Sequence, residues 1–379
     1  MKPRYIFVGL FTVVTLGLAV RYLSPGPVST SGEKINITYS ENIVDVLLPV
    51  SGAALVPLKD AKLSKQTLVA LAQLEKAAIE HPSIVNLPPY RRREIHDAIY
   101  VPLGLSNSNI TDAEERFIPG PDGHKIRIRI YTPKERTGGK LPVIVYYHGG
   151  GMMMGSLEQY EPITRRLCQK SGLIVVSVDF RMSPEYKFPA ALDDSYAALL
   201  WVRDNAGSFG GDPGKLVIAG DSGGGLLAAA MAQQARDQQG PHISYQVLIY
   251  PAIGTRGNSK SADLFAKGYV FGRKELEWAY GSWINSAEDM NNVRVQPILA
   301  TDFSGLPPAY VVSAEYEVMR DDIEEYARLL DAAGVPTVMK RFEGTVHPFM
   351  SMAGVIDAGK DVIDEAAVEI RRGLDLPAN

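Results

Sequence analysis

The 379-residue sequence contains one cysteine, Cys168, so it can form no intramolecular disulfide and is not a disulfide-stapled extracellular domain. None of the six histidines lies at metal-ligand spacing from a cysteine or another histidine, and no cofactor or metal site is expected. Charge of one sign is also scarce. The 39 Lys and Arg against 43 Asp and Glu leave a net charge of −4, which offers no attractive field to nucleic acid or another polyanion. The dense basic run Arg91-Arg92-Arg93 is predicted to be a solvated helix face rather than a phosphate site. No internal repeat is visible. Apolar residues, by contrast, make up 46% of the chain, enough for one large core with accessory structure.

One long uncharged stretch runs from Tyr5 to Val20, with Lys2 and Arg4 before it and Arg21 after it. At 1.5 Å per residue it would span about 24 Å, somewhat short of the ~30 Å hydrocarbon core. That length suits a signal-peptide h-region or a short signal anchor, and Gly17 and Ala19 supply small residues at a plausible cleavage point. Residues 1–22 are therefore predicted to export the chain or hold it at a membrane, with a cytoplasmic protein as the alternative. Residues 23–39, with Ser24, Pro25, Gly26, Pro27, Ser29, Ser31 and Gly32, read as a linker.

Residues 40–112 carry helical patterns, clearest from Leu68 through Leu71 and Leu74 to Ala78, with Ser64 as the expected N-cap. A period of two then appears: Ile126, Ile128 and Ile130 alternate with Arg127 and Arg129, the signature of a half-buried strand. Beyond it, short apolar runs at Val143 to Tyr147, Leu173 to Val178, Leu216 to Ala219, Tyr245 to Tyr250 and Tyr310 to Ser313 are mostly separated by helical segments. Continuous apolar strands between helices imply a largely parallel sheet covered on both faces, an α/β fold. Residues 254–290 interrupt this rhythm with a polar stretch carrying Tyr269, Phe271, Trp278, Tyr280 and Trp283. This stretch and residues 40–112 are predicted to form a helical cap over a core built from residues 113–253 and 291–379.

The motif Gly220-Asp221-Ser222-Gly223-Gly224 falls between a predicted strand and a predicted helix, the context of a nucleophile elbow in an α/β-hydrolase fold. The glycines permit a tight turn, and the helix N-terminus favours negative charge at the serine. Upstream, His148-Gly149-Gly150-Gly151 follows another strand. Glycines there let backbone N–H groups approach a substrate and stabilise an oxyanion, together with the N–H of Gly223. Of the histidines, His81, His96 and His124 fall in the cap or edge strands, His148 in the glycine loop, and His242 at a strand start. His347, after the strand Thr337 to Phe342, occupies the place of a general base. Its acid partner belongs after the strand Tyr310 to Ser313. Glu317 is the first choice and Asp321 the alternative, with Asp321 and Asp322 expected to cap the next helix.

With these residues in hand, the chain resembles the hormone-sensitive-lipase family of esterases, which includes the arylacetamide deacetylases. The resemblance spans about residues 85 to 379. It rests on His148-Gly149-Gly150-Gly151, Gly220-Asp221-Ser222, Asp179-Phe180-Arg181-Met182-Ser183-Pro184-Glu185 running to Phe188-Pro189-Ala190-Ala191, Ser304-Gly305-Leu306-Pro307-Pro308, and the segment around His347. It implies Ser222 and His347 as catalytic, Gly150, Gly151 and Gly223 as oxyanion donors, and Gly149 as needed for loop shape. Two departures stand out. Glu317-Val318 replaces the family's usual Asp-Pro, and Met152-Met153-Met154 replaces its aromatic or β-branched residues, predicting an adaptable pocket wall, with core filling as the alternative for at least two of the three. The activity implied is hydrolysis of short- to medium-chain esters. An amidase or deacetylase using the same residues is the alternative, and a ligand-binding relative such as the gibberellin receptors is the non-enzymatic one. The oligomeric state is not legible.

Overall fold

In the computed structural model, which describes residues 62–80, 87–106, 110–135, 139–257 and 259–377, eight strands form one sheet. They are β1 Thr111–Pro119, β2 Lys125–Pro133, β3 Leu141–Tyr147, β4 Ile174–Asp179, β5 Gly211–Asp221, β6 Ile243–Ile249, β7 Ala309–Tyr316 and β8 Thr337–Val346. Their order across the sheet is β1-β2-β4-β3-β5-β6-β7-β8. The two pairings that involve β2 are antiparallel, and all others are parallel. The central strands are buried nearly end to end, for example Val143 to Tyr147 and Leu216 to Asp221. They owe this to helices on both faces, which is why their sequences are unbroken apolar runs.

The flanking helices are α3 Leu157–Ser171, α4 Ala190–Asn205, α5 Gly223–Asp237, α8 Arg320–Ala332 and α9 Asp357–Gly373. The strand at β2 begins with the expected alternation, Ile126 and Ile128 buried and Arg127 half-buried. Arg129 goes under as well, because Glu115, Glu158 and Glu161 surround its guanidinium. The edge strand β1 was not anticipated. Its residues are mostly exposed and include Asp112, Glu114, Glu115 and Arg116, a charged edge that resists pairing with another sheet and hides the strand's period.

Among the described residues, two α-helices precede the sheet: α1 Lys65–Glu80 and α2 Pro89–Tyr100. Ser64 Oγ accepts from Thr67 N at 3.0 Å, the anticipated cap. The buried stripe of α1 is Thr67, Ala70, Leu71 and Leu74, turned slightly from the expected one. Its first turn is tied to the end of β8, where Thr67 Oγ1 donates to Gly344 O at 2.7 Å and Ser64 N donates to the same carbonyl at 2.9 Å. The basic run on α2 is not simply solvated. Arg91 pairs with Glu94 at the surface, but Arg93 donates to Met153 O at 2.8 Å and to Ser183 O at 3.1 Å, and forms a bidentate pair with Glu185. A guanidinium fork suits that role, and it fastens α2 to the loop after the glycines.

Between β6 and β7 lie α6 Lys260–Leu264 and α7 Arg273–Trp283. Among the described residues, no helix is long and apolar enough to cross a membrane. The expected leader, linker and first part of the N-terminal cap, residues 1–61, lie outside the described residues, as does His81.

Candidate active site

Strand β5 delivers Asp221 and Ser222 to the carboxyl edge of the sheet, where α5 begins. Ser222 holds φ 52° and ψ −119°, a conformation non-glycine residues rarely adopt, and strain of this kind is characteristic of functional turns. The turn is held by Ser222 N donating to Ile249 O at 2.9 Å, while Ser222 O accepts from Leu226 N and Ala252 N. A Cβ on Gly224 would overlap the carbonyl oxygens of Tyr147 and His148, so the turn admits no side chain there. The serine hydroxyl is thereby raised clear of the backbone at a helix N-terminus.

His347 follows β8 directly. Its Nε2 lies 3.0 Å from Ser222 Oγ, and its Nδ1 lies 3.0 Å from Glu317 Oε2. Glu317, just past β7, is wholly buried, and its Oε1 accepts from Ala314 N at 2.9 Å. The imidazole is flanked by Tyr250, edge-on at 4.7 Å between centroids, and by Phe271 at 4.9 Å. These rings leave it little room to turn away from the serine.

Asp321 is elsewhere. One of its carboxylate oxygens accepts from Ser261 N of α6 at 2.9 Å, and the other pairs with Arg320 at 3.0 Å. Asp321 and Asp322 lie in the first turn of α8, as expected, but neither is its N-cap: that residue is Met319, and the side chain that bonds the first turn is Ser261, whose Oγ accepts from Asp321 N at 3.1 Å. Asp321 serves the start of the neighbouring α6 instead. Asp322 is buried among Thr255 and Ser259, and this burial raises its pKa.

The glycine loop is fixed by a residue to which the motif gave no role. Asp221, wholly buried beside Ser222, accepts from Gly149 N at 2.9 Å, Tyr146 OH at 2.8 Å and Tyr160 OH at 3.1 Å. Burial pushes its pKa up to about 6 despite these donors. Gly149 therefore spends its amide on Asp221, and a Cβ there would collide with that carboxylate. Gly150 and Gly151 turn the chain at φ 109° and 61°, and Met152 continues at 63°. A Cβ built on Gly223 would lie 3.1 Å from Gly151 N, so the glycine loop and the elbow meet at the serine. His148 is buried under the loop, stacked on Phe180 at 4.5 Å, and burial lowers its pKa.

Above Ser222 opens a cavity of about 650 Å³. Its walls come from the glycine loop (Gly150, Gly151, Met153, Met154), from α2 (His96, Tyr100), from Phe271 and α7 (Glu275, Trp278, Ala279), and from His347. A second space of about 330 Å³ reaches the same serine from the far side of Phe271 and Ala279. The methionines divide between them, Met153 and Met154 in the larger and Met152 in the smaller. Nothing in the sequence marked Tyr146, Tyr160 or Tyr100, and His96 was placed only in the cap; Phe271, Trp278, Tyr280 and Trp283 carried a signal as aromatic residues in a polar stretch, and Met152, Met153 and Met154 were expected in the pocket wall. Among the described residues, no cluster of His, Cys, Asp and Glu could hold a metal ion.

The chain is similar to known proteins. A family model described as the alpha/beta hydrolase fold matches residues 144–351. Carboxylesterase NlhH of Mycobacterium tuberculosis (strain ATCC 25618 / H37Rv) is 38% identical over 266 residues, 69% of this chain and 82% of its own. An arylesterase from Saccharolobus solfataricus is 39% identical over 271 residues, 71% and 87% of the two chains. Among solved structures, an ester hydrolase from the metagenome of Lake Arreo superposes with a TM-score of 0.78 at 36% identity, covering 83% of this chain and 99% of that one. The esterase of Pyrobaculum calidifontis gives 0.74 at 37%, covering 82% and 98%.

Proposed function

The chain belongs to the hormone-sensitive-lipase-like family of α/β-hydrolase esterases and is a carboxylic ester hydrolase; we propose that it cleaves short- to medium-chain esters through Ser222, His347 and Glu317 by way of an acyl-enzyme. The observation that carries this reading is the unbroken contact line, 3.0 Å from Ser222 to His347 and 3.0 Å from His347 to Glu317, at the foot of an apolar cavity. Glu317 accepts the Nδ1–H of His347, which leaves Nε2 free to accept the serine proton. As Oγ attacks the carbonyl carbon, the proton passes to Nε2 and the carbonyl oxygen becomes an oxyanion. The N–H groups of Gly150, Gly151 and Gly223 face that charge, each worth ~10²- to 10³-fold in rate. When the tetrahedral intermediate collapses, the C–O bond to the alcohol breaks and the departing oxygen takes the proton from Nε2. Water, activated by the same nitrogen, then attacks the acyl-enzyme and releases the acid.

Asp221 is a positioning residue here. By holding Gly149 it aims the two following amides, and by linking the loop to β3 and α3 through Tyr146 and Tyr160 it fixes the donors before substrate arrives. We assign residues 40–112 and 254–290 to a cap over an α/β core of residues 113–253 and 291–379. The cavity walls contributed by α2 and α7 support that division. Export or anchoring rests on residues 1–22 alone, where Lys2 and Arg4 precede the apolar run. We assign membrane contact to that segment, and the substrate is a small-molecule ester.

The deciding experiment compares an aryl ester with the matching anilide in wild type and in Ser222→Ala. Turnover of the ester should fall on the order of 10⁶-fold in the variant, and the anilide should be the poorer substrate in the wild type. Ester turnover that survives the substitution would remove Ser222 from the reaction, and a faster anilide would make the enzyme an amidase.

A further inference from the structure

The two spaces that meet at Ser222 differ in size, chemistry and access to His347, and together these differences orient the substrate. We propose that the smaller lobe receives the acyl group and the larger lobe the alcohol, so that the preferred substrates are short-chain acyl esters of bulky, largely apolar alcohols. The assignment rests on the Ser222-His347-Glu317 reading above. In that chemistry the leaving oxygen must take the proton from His347 Nε2, so its substituent extends on the histidine side. His347 and Pro348 line the 650 Å³ lobe and do not border the 330 Å³ lobe. The carbonyl oxygen points between Gly151 and Gly223. The acyl chain then has the remaining direction, past Gly223 towards Leu226 and Ala252.

Helix α7 draws the boundary. Leu276, Tyr280 and Trp283, spaced four and three residues apart, form one stripe, and that stripe lines the smaller lobe. Glu275 and Trp278 lie on the adjacent stripe and line the larger. Ala279 falls between the stripes and borders both, as does Phe271. The far wall of the smaller lobe is firm: Trp283 is buried edge-on against Phe188, and Tyr280 OH donates to Ala252 O at 3.1 Å. The larger lobe is walled by two methionines, Met153 and Met154, against the single Met152 of the smaller, and thioethers adapt to different shapes; the aromatic faces of Tyr100 and Trp278 complete it. A bulky group fits the second kind of wall and is refused by the first.

A pair of isomeric esters tests this directly. Naphthylmethyl acetate carries the bicyclic group on its alcohol, methyl naphthylacetate carries it on its acid, and their leaving groups are alcohols of similar basicity. The wild-type enzyme should favour naphthylmethyl acetate by about tenfold or more in kcat/KM, the scale on which apolar pockets discriminate. Leu276→Ala should narrow that preference by admitting the bulky acid and leave the ranking of acetates by alcohol size unchanged. Trp278→Ala should alter the alcohol ranking and leave the acyl-length profile of phenyl esters unchanged. Equal rates for the two isomers, a preference for methyl naphthylacetate, or exchanged effects of the two variants would overturn the lobe assignment. Titration with a fluorophosphonate separates this from the premise. Enzyme that labels fully but prefers the wrong isomer defeats only the lobes, whereas enzyme that does not label at Ser222 defeats the triad itself.

Discussion

Glu317→Gln replaces the acid with an amide of nearly the same shape, and the surroundings dictate how that amide must sit. Ala314 N donates to one carboxylate oxygen at 2.9 Å, so the amide oxygen of a glutamine must take that position. Its NH₂ then faces His347 Nδ1, which lies 3.0 Å from the other oxygen. A donor at that point obliges Nδ1 to accept, and the imidazole proton moves to Nε2, the nitrogen 3.0 Å from Ser222 Oγ. A protonated Nε2 cannot take the serine proton. The cost should be roughly 10⁴-fold in kcat, or about 5 kcal/mol at 1.36 kcal/mol per tenfold. Both buried polar positions remain occupied, so thermal stability should change by no more than about 1 kcal/mol. Saturation kinetics on an aryl ester beside a thermal melt read both quantities. Turnover within about tenfold of wild type in a folded variant would refute the role given to Glu317. Glu317→Asp then asks whether the loop can bring the shorter carboxylate to Nδ1.

Other consequences concern neighbouring carboxylates and the N-terminus. Asp321→Asn keeps an acceptor for Ser261 N and loses only a partly exposed ion pair with Arg320, so stability should fall by about 1 kcal/mol or less and turnover should stay near normal; an inactive, folded variant would reassign the acid. Because the pKa of Asp221 lies near 6 in the folded protein, above the ~3.9 of an unfolded chain, the folded state holds this proton more tightly between those values. Its contribution is fullest below about pH 4 and is lost as pH rises through 6, by up to about 3 kcal/mol. Chemical denaturation from pH 4 to 7 should show that this slope disappears in Asp221→Asn, and parallel curves for the two proteins would contradict it. Fractionation of the native host should find the esterase activity at the membrane or outside the cytoplasm, as we propose from the basic-flanked apolar run; a full-length chain wholly free in the cytoplasm would count against export.

The parts of the site that could be read from sequence are those whose chemistry is local. The geometry that places Ser222 is encoded within a few residues by glycines that no other side chain can replace, and the contacts of Gly224 show why. His347 was accessible because it directly follows a strand. Choosing between Glu317 and Asp321 required tertiary structure, since both follow β7 and only the path of the chain decides which carboxylate meets Nδ1. The role of Asp221 depends on Tyr146 from β3 and Tyr160 from α3, which approach it only in the folded sheet. Arg93 was misjudged for a related reason: a basic run on a helix gives no sign that its third residue will reach Met153, Ser183 and Glu185 far along the chain. The edge strand β1 escaped because exposed strands carry charges at positions where buried ones would alternate. The division of α7 into two stripes is written in its sequence, but it acquires meaning only when both spaces are seen to converge on the serine.

The central claim is that Ser222, activated by His347, is the nucleophile. Stoichiometric reaction of the wild-type protein with a fluorophosphonate, followed by proteolysis and mass spectrometry of the peptides, tests it most directly. One adduct per chain is expected, located on the peptide that contains Ser222, with loss of ester turnover in proportion to labelling and no adduct in Ser222→Ala. An adduct on another residue, or full ester turnover by protein that remains unlabelled, would contradict the account.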